Sequence, residues 1–180
     1  MNRKLLALIF EESIDVFLKQ ERQNILYDVA ERNLCSRLSL YITEKLTEYK
    51  VVGYYADTEY NRKQGGQVKT ILDDEMNVIS IQSDLIVHSR GEILAQDNLI
   101  AIEMKKASRP ELEKISDRKR LRLMTKDSYN DVWSFDGKTH PEHVCGYLLG
   151  IYIILDIAQS CCQFEYYQKG KLIYDRIQSF

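Results

Sequence analysis

Hydrophobic and polar positions recur along this chain with two periods, and the switches between them mark its elements. Leu5, Leu6, Ile9, Phe10, Ile14, Phe17 and Leu18 fall on one side of a helix over residues 3 to 19. A longer helix is predicted over residues 24 to 49, with Tyr27, Leu34, Leu38, Ile42 and Tyr49 at helical spacing. Val51 to Tyr60 reads as a first strand, and Gly65-Gly66 as a loop. Residues 67 to 77 are polar and read as a ragged turn or an edge strand. Val78 to His88 and Asn98 to Lys105 are apolar, β-branched runs around a turn-rich segment with Gly91 and Asp97, which is a hairpin signal. A helix follows to about Lys126, with Pro110 at its first position and Ser108 as its cap. Residues 127 to 143 look irregular. Val144 to Leu155 reads as a buried central strand, and Cys161 to Gln168 with Lys171 to Ile177 as a hairpin over Lys169-Gly170. This order predicts an α/β fold, a mixed central sheet flanked by helices. We divide one domain of residues 1 to 180 into N-terminal helices (1–49) and a core (50–180).

Composition changes this picture little. The 180 residues suffice for a sizeable core, and a net charge of −2 gives no global signature of nucleic-acid binding. A phosphate-binding surface must then be local. Cys35, Cys145, Cys161 and Cys162 form no CxxC pair and read as reduced thiols of a cytoplasmic protein. The opening Met1 to Phe10 is too short for a leader and runs at once into Glu11 and Glu12, and no later run is long enough to span a membrane. His140, His143 and Cys145 lack a neighbouring fourth ligand, which argues against zinc.

The candidate chemistry lies on the hairpin. A loop closing symmetrically over residues 91 to 96 sets His88 opposite Leu99, Ile86 opposite Ala101 and Asp84 opposite Glu103. Lys105 shares the face of Glu103, two positions away. Two carboxylates and an amine thus converge, and opposed like charges need an offset such as a divalent cation with oxygen ligands. The alternative is a strand pair with polar ends and a surface lysine. Glu31 falls within the apolar stripe of the second helix, where an acid is costly unless paired or metal-bound. An ion pair with Arg32 or Arg37 is the other reading.

Ser83-Asp84 with Glu103-Met104-Lys105 resembles the motif of the PD-(D/E)XK nuclease superfamily, with Ser83 where the usual Pro stands. Asp57 and Glu59-Tyr60-Asn61-Arg62 resemble a cluster of uncharacterised bacterial nuclease-like proteins, and the match covers roughly residues 27 to 125. The resemblance implies a restriction-endonuclease-like core. It implies Mg²⁺, with Mn²⁺ as a substitute, held by Asp84, Glu103 and the Met104 carbonyl. Lys105 would orient or help deprotonate water and stabilise charge, and Glu31 would point into the site. The expected function is phosphodiester hydrolysis, with DNA as partner, by an enzyme needing no membrane. Arg62, Lys63, Lys106, Lys114, Arg118, Lys119 and Arg120 are the candidate phosphate contacts, the last four on the basic helix, where a merely solvated face is the other reading. Rival readings are a silent nuclease-like binding module, or a nuclease subunit that needs a targeting partner; a homodimer is also compatible.

Overall fold

The computed structural model describes residues 1–62, 68–73, 75, 77–129, 133–134 and 146–180. Helices α1 (Arg3–Gln20), α2 (Arg22–Leu26) and α3 (Glu31–Glu48) come first. Then follow β1 (Tyr55–Thr58), β2 (Thr70–Leu72), β3 (Val78–Ser80), β4 (Leu85–His88) and β5 (Asn98–Lys106). Helix α4 (Glu111–Met124) leads to β6 (Ser128–Tyr129), β7 (Trp133–Ser134), β8 (Leu149–Asp156), β9 (Cys161–Gln168) and β10 (Lys171–Ser179).

A six-stranded mixed sheet in the order β1-β4-β5-β8-β9-β10 carries the architecture. Its β5–β8 pair is parallel and its other pairs are antiparallel. Helix α4 lies in the connection between the parallel strands, as a parallel crossover requires. Small pairs β2–β3 and β6–β7 stand apart.

The strands sort their side chains between two cores. Leu85, Val87, Ile100, Ile102 and Met104 pack with α1 and α3, through Leu6, Phe10, Phe17, Leu34, Leu38 and Ile42. Ile86, Ala101, Tyr152 and Ile154 pack on the opposite face with Leu121, Leu123 and Met124 of α4 and with Ile71 and Ile81. From Ile100 to Met104 β5 alternates between the two faces, which fixes the face that each polar residue at its end must take.

Several expected boundaries move. The long second helix breaks at Tyr27–Ala30, where Asp28 takes φ 58 and Tyr27 is 76% exposed instead of lying in a buried stripe. Glu31 therefore opens α3 instead of lying mid-helix. The first strand shortens to Tyr55–Thr58, because Lys50 (φ 55) and Gly53 (φ 81) turn the chain before it. Val78 to His88 is two strands, since β3 leaves the main sheet to pair with β2. Pro110 occupies the N-cap position of α4 and no side chain caps it. The irregular segment contains the β6–β7 pair. The β9–β10 hairpin turns through Lys169 and Gly170, both at positive φ. Among the described residues no helix is long and apolar enough to cross a membrane.

Candidate functional site

The β4–β5 register pairs Leu85 with Ile102, Ile86 with Ala101 and Val87 with Ile100. It then shifts, and His88 pairs with Asn98 in place of the expected Leu99. The shift lies at the far end from the acids. One step the other way, Asp84 reaches across the ladder and its Oδ2 accepts the Met104 N–H at 2.8 Å. Asp84 follows the parity of Ile86, and Glu103 and Lys105 follow that of Ala101, so all three lie on the α4 face. Met104 turns to the other face, where its sulfur lies 3.8 Å from Cys35 Sγ. Its main chain meets the acid site through its N–H.

Glu103 is fully buried. Its Oε1 accepts from Arg120 Nη1 at 2.7 Å, while its Oε2 has no hydrogen-bond partner. Burial pushes its carboxyl well above the usual range; Arg120 opposes that push, and Asp84 and Asp117 add to it. Burial also raises Asp84, against the Met104 N–H and Lys105.

The Lys105 ammonium lies 3.4 Å from Asp117 Oδ2 and 4.0 Å from Glu31 Oε2. Burial disfavours its charge, but Asp84, Asp117, Glu31 and Glu103 outweigh burial and raise its pKa. Lys105 thus carries a full charge at neutral pH in this arrangement and is suited to stabilising anions more than to accepting a proton. Glu31, at the start of α3, accepts the Lys106 N–H through Oε1 at 2.8 Å. The arginines weighed as its partners go elsewhere: Arg37 pairs with Glu21 and Arg32 with Glu59.

Asp117 is the residue that sequence reading missed. It is buried on α4 beside Lys105 and Arg120. The available signal was the one that singled out Glu31. Asp117, Leu121 and Met124 follow i, i+4, i+7, so an acid lies on an apolar stripe.

The basic helix faces the sheet acids more than it faces solvent. Across β5, β8, β9 and β10 the register aligns Glu103, Tyr152, Glu165 and Asp175 in one row. Helix α4 sets Arg120 on Glu103 and Arg118 on Glu165, with Arg118 Nε 3.0 Å and Nη2 2.9 Å from that carboxylate. Arg118 also lies 5.1 Å from the centre of the Tyr152 ring and 3.0 Å from Glu111. Lys114 pairs with Glu111 and donates to the Ala107 carbonyl, and Lys119 approaches Asp73 and Glu75. Lys106 is held by Asp28. Arg62 is exposed and forms a β-bridge with Val68. Lys63, His140, His143 and Cys145 lie outside the described residues. Arg118 and Arg120 were expected to meet a phosphate backbone independently of the acids. The structure corrects this for Arg120, which is part of the acid cluster.

Among the described residues no three His, Cys, Asp or Glu side chains converge to hold a metal; Arg120 stands between two of the acids. The donors themselves fit a hard divalent cation. They are carboxylate oxygens, and the buried Oε2 of Glu103 is without a hydrogen-bond donor. The cluster also stands among three residues expected from sequence, Asp84, Glu103 and Lys105, with Glu31 at its edge.

A second polar group lies on the β1 side. Asp57 joins His88 Nε2 at 3.0 Å and Arg90 Nη2 at 2.6 Å. The Tyr60 ring centroid lies 4.6 Å from that of His88. Lys69, almost wholly buried, reaches Tyr147 Oη at 3.4 Å. Asp57, named with the Glu59-Tyr60-Asn61-Arg62 run in the sequence, is engaged in this separate network.

No protein-family model, curated protein or solved structure matches the chain.

Proposed function

We propose that the protein is a Mg²⁺-dependent nuclease that hydrolyses phosphodiester bonds in DNA, on a restriction-endonuclease-like core and in the cytoplasm. The observation that carries this reading is Glu103: a fully buried carboxylate with a bare oxygen, beside Asp84 and on the face of the Lys105 ammonium. A buried carboxylate in that state is costly unless something positive meets it. Asp84 and Glu103 would hold Mg²⁺ or Mn²⁺, with Glu31 at the margin. When bound, the metal supplies a water of lowered pKa and charge neutralisation at the phosphate. Lys105 holds its ammonium on the same side and offsets the negative charge that grows on the phosphoryl oxygens. The Met104 N–H holds Asp84 in place. Burial behind α4 keeps bulk water off Glu103 and strengthens these interactions.

One observation favours a variant of this reading, in which a partner brings the enzyme to DNA. Arg118, Arg120, Lys114 and Lys106 all have acidic or carbonyl partners within the chain, so these four candidate phosphate contacts are already engaged.

Calorimetry with Mg²⁺ and Mn²⁺, followed by cleavage of single-stranded, duplex and branched DNA with and without EDTA, tests the proposal. Metal binding with EDTA-sensitive cleavage is expected. Lys105→Met should keep metal binding and lose on the order of a hundredfold or more in rate. Asp84→Asn should lose both. Metal binding without cleavage of any substrate would move the assignment to the partner-dependent form, and absence of metal binding would end it.

A further inference from the structure

Arg120 Nη1 sits 2.7 Å from Glu103 Oε1 and 3.2 Å from Asp117 Oδ1, so one cationic nitrogen bridges carboxylates from β5 and α4. A structural ion pair of this depth would be expected to satisfy both acids, because a bare buried acceptor is costly. Here it does not. Glu103 Oε2 and Tyr152 Oη, the latter on the neighbouring position of β8, are buried without hydrogen-bond partners, and Asp117 Oδ2 has only the Lys105 ammonium at 3.4 Å, outside hydrogen-bonding geometry. Glu103 is 0% and Asp117 3% exposed, so bulk water does not supply the missing donors. The formal charges are also unequal. Asp84, Glu103, Asp117 and Glu31 face Lys105 and Arg120, four carboxylates against two cations. The deficit is that of one divalent ion.

Arg120 has room to leave. Its side chain keeps 24% exposure, and a cavity of about 90 Å³ opens beside it between α4 and the β2–β3 pair, lined by Ile71, Ser80, Ile81, Ser116, Lys119 and Leu123 among others. A guanidinium on a long stem can turn into that space without moving the helix axis.

We infer that Asp117 is a third acid of the metal site, and that Arg120 is its interim countercation. A divalent cation takes the position between Glu103 and Asp117, and Arg120 turns away to meet the substrate phosphate. The inference rests on the metal-dependent reading above and names residues which that reading does not use. It gives Arg120 two effects of opposite sign. In its present position the arginine competes with the metal, and once released it attracts the phosphate.

The test is titration calorimetry with Mn²⁺ on the wild type, Arg120→Gln and Asp117→Asn, with duplex DNA binding measured in Ca²⁺. Arg120→Gln should bind Mn²⁺ about tenfold tighter, the scale expected when one opposing charge leaves a partly buried site. The same variant should bind DNA several-fold more weakly. Asp117→Asn should bind Mn²⁺ at least tenfold more weakly. Equal or weaker metal binding by Arg120→Gln, or an unchanged Asp117→Asn, overturns the exchange while leaving the nuclease reading in place. Absence of Mn²⁺ binding by the wild type overturns both. Should either variant fail to fold, arginine side-chain NMR of the wild type decides. The Arg120 Nε–Hε signal should move to the position of a free arginine as Mg²⁺ saturates the site, and a signal that stays fixed refutes the exchange.

Discussion

Lys69 and His88 are two basic groups buried near one another, and the charge of the lysine lowers the affinity of the histidine for protons. Burial pushes Lys69 from 10.5 down to about 8, against the pull of Asp97 and Asp57. Burial and then the charge of Lys69 push His88 from 6.5 down to about 4, against its bond to Asp57. Both folded values are depressed, so between the folded and unfolded values the unfolded chain holds the extra proton. Stability therefore rises with pH from 8 to 10.5 through Lys69, and falls as pH drops from 6.5 through 4 through His88. At pH 7 the lysine costs on the order of 3 kcal/mol. Lys69→Met is expected to stabilise the protein by about 1–3 kcal/mol at pH 7, with the gain gone near pH 10.5, as read from urea unfolding at the two pH values. It should also raise the His88 pKa by NMR, and an unmoved His88 would contradict the coupling. None of this pairing could be read from sequence. Lys69 was one polar residue in a ragged stretch, and its burial depends on the β2–β3 pair and on Tyr147, remote along the chain. Asp84, Glu103 and Lys105, in contrast, were legible because two-residue periodicity alone puts them on one face.

Helix α4 is where element-scale packing decides the chemistry, because it brings Asp117 and Arg120 over the sheet. Gly150 of β8 permits its approach: a Cβ there would lie 2.8 Å from Thr125 Cγ2 and 3.2 Å from Tyr167 Cβ. Thr125 is itself fixed, its Oγ1 donating to the Leu121 carbonyl and accepting the Gly170 N–H. Gly150→Ala is expected to cost about 1–3 kcal/mol through overpacking. Adding Thr125→Ser removes the clashing methyl but keeps the hydroxyl, and should recover much of the loss; thermal unfolding of the single and double variants checks this. The hairpin carrying the acids was legible in register because its apolar runs are long and its loop is marked by Gly91 and Asp97. Asp97 holds the loop, its Oδ1 accepting from Ser89 Oγ and from the Gly91 N–H. The bulge at His88 and the break in the second predicted helix were not legible. Neither is punctuated by Gly or Pro: a register shift and a left-handed Asp28 depend on what packs around them.

At the scale of the whole molecule, the charge balance of −2 hides an uneven distribution. Acids gather inside the site, and basic side chains are used up against them. A divalent cation that completes the cluster should then stabilise the fold by mass action, about 2.7 kcal/mol at a hundredfold excess over Kd. For a chain of this size that corresponds to a Tm rise of roughly 5–10 °C. Scanning calorimetry with Mg²⁺ and with EDTA reads it, and a flat Tm in the presence of bound metal would contradict it. Helix α1 has a consequence of another kind. Its buried face rests on the last strands, with Phe10 edge-on to Phe164 and Tyr166, and Glu11 bonded to Tyr166 and Arg176. The partners are separated by 155 and 165 residues. During synthesis at 5–20 residues per second, α1 leaves the ribosome roughly 8–30 s before the strands that cover it. For that interval Leu6, Phe10 and Phe17 have only α3 and nascent strands to shelter them, so α1 is sealed long after it is made. Translation speed between α1 and β10, and chaperone access to α1, become determinants of how much protein reaches the native state.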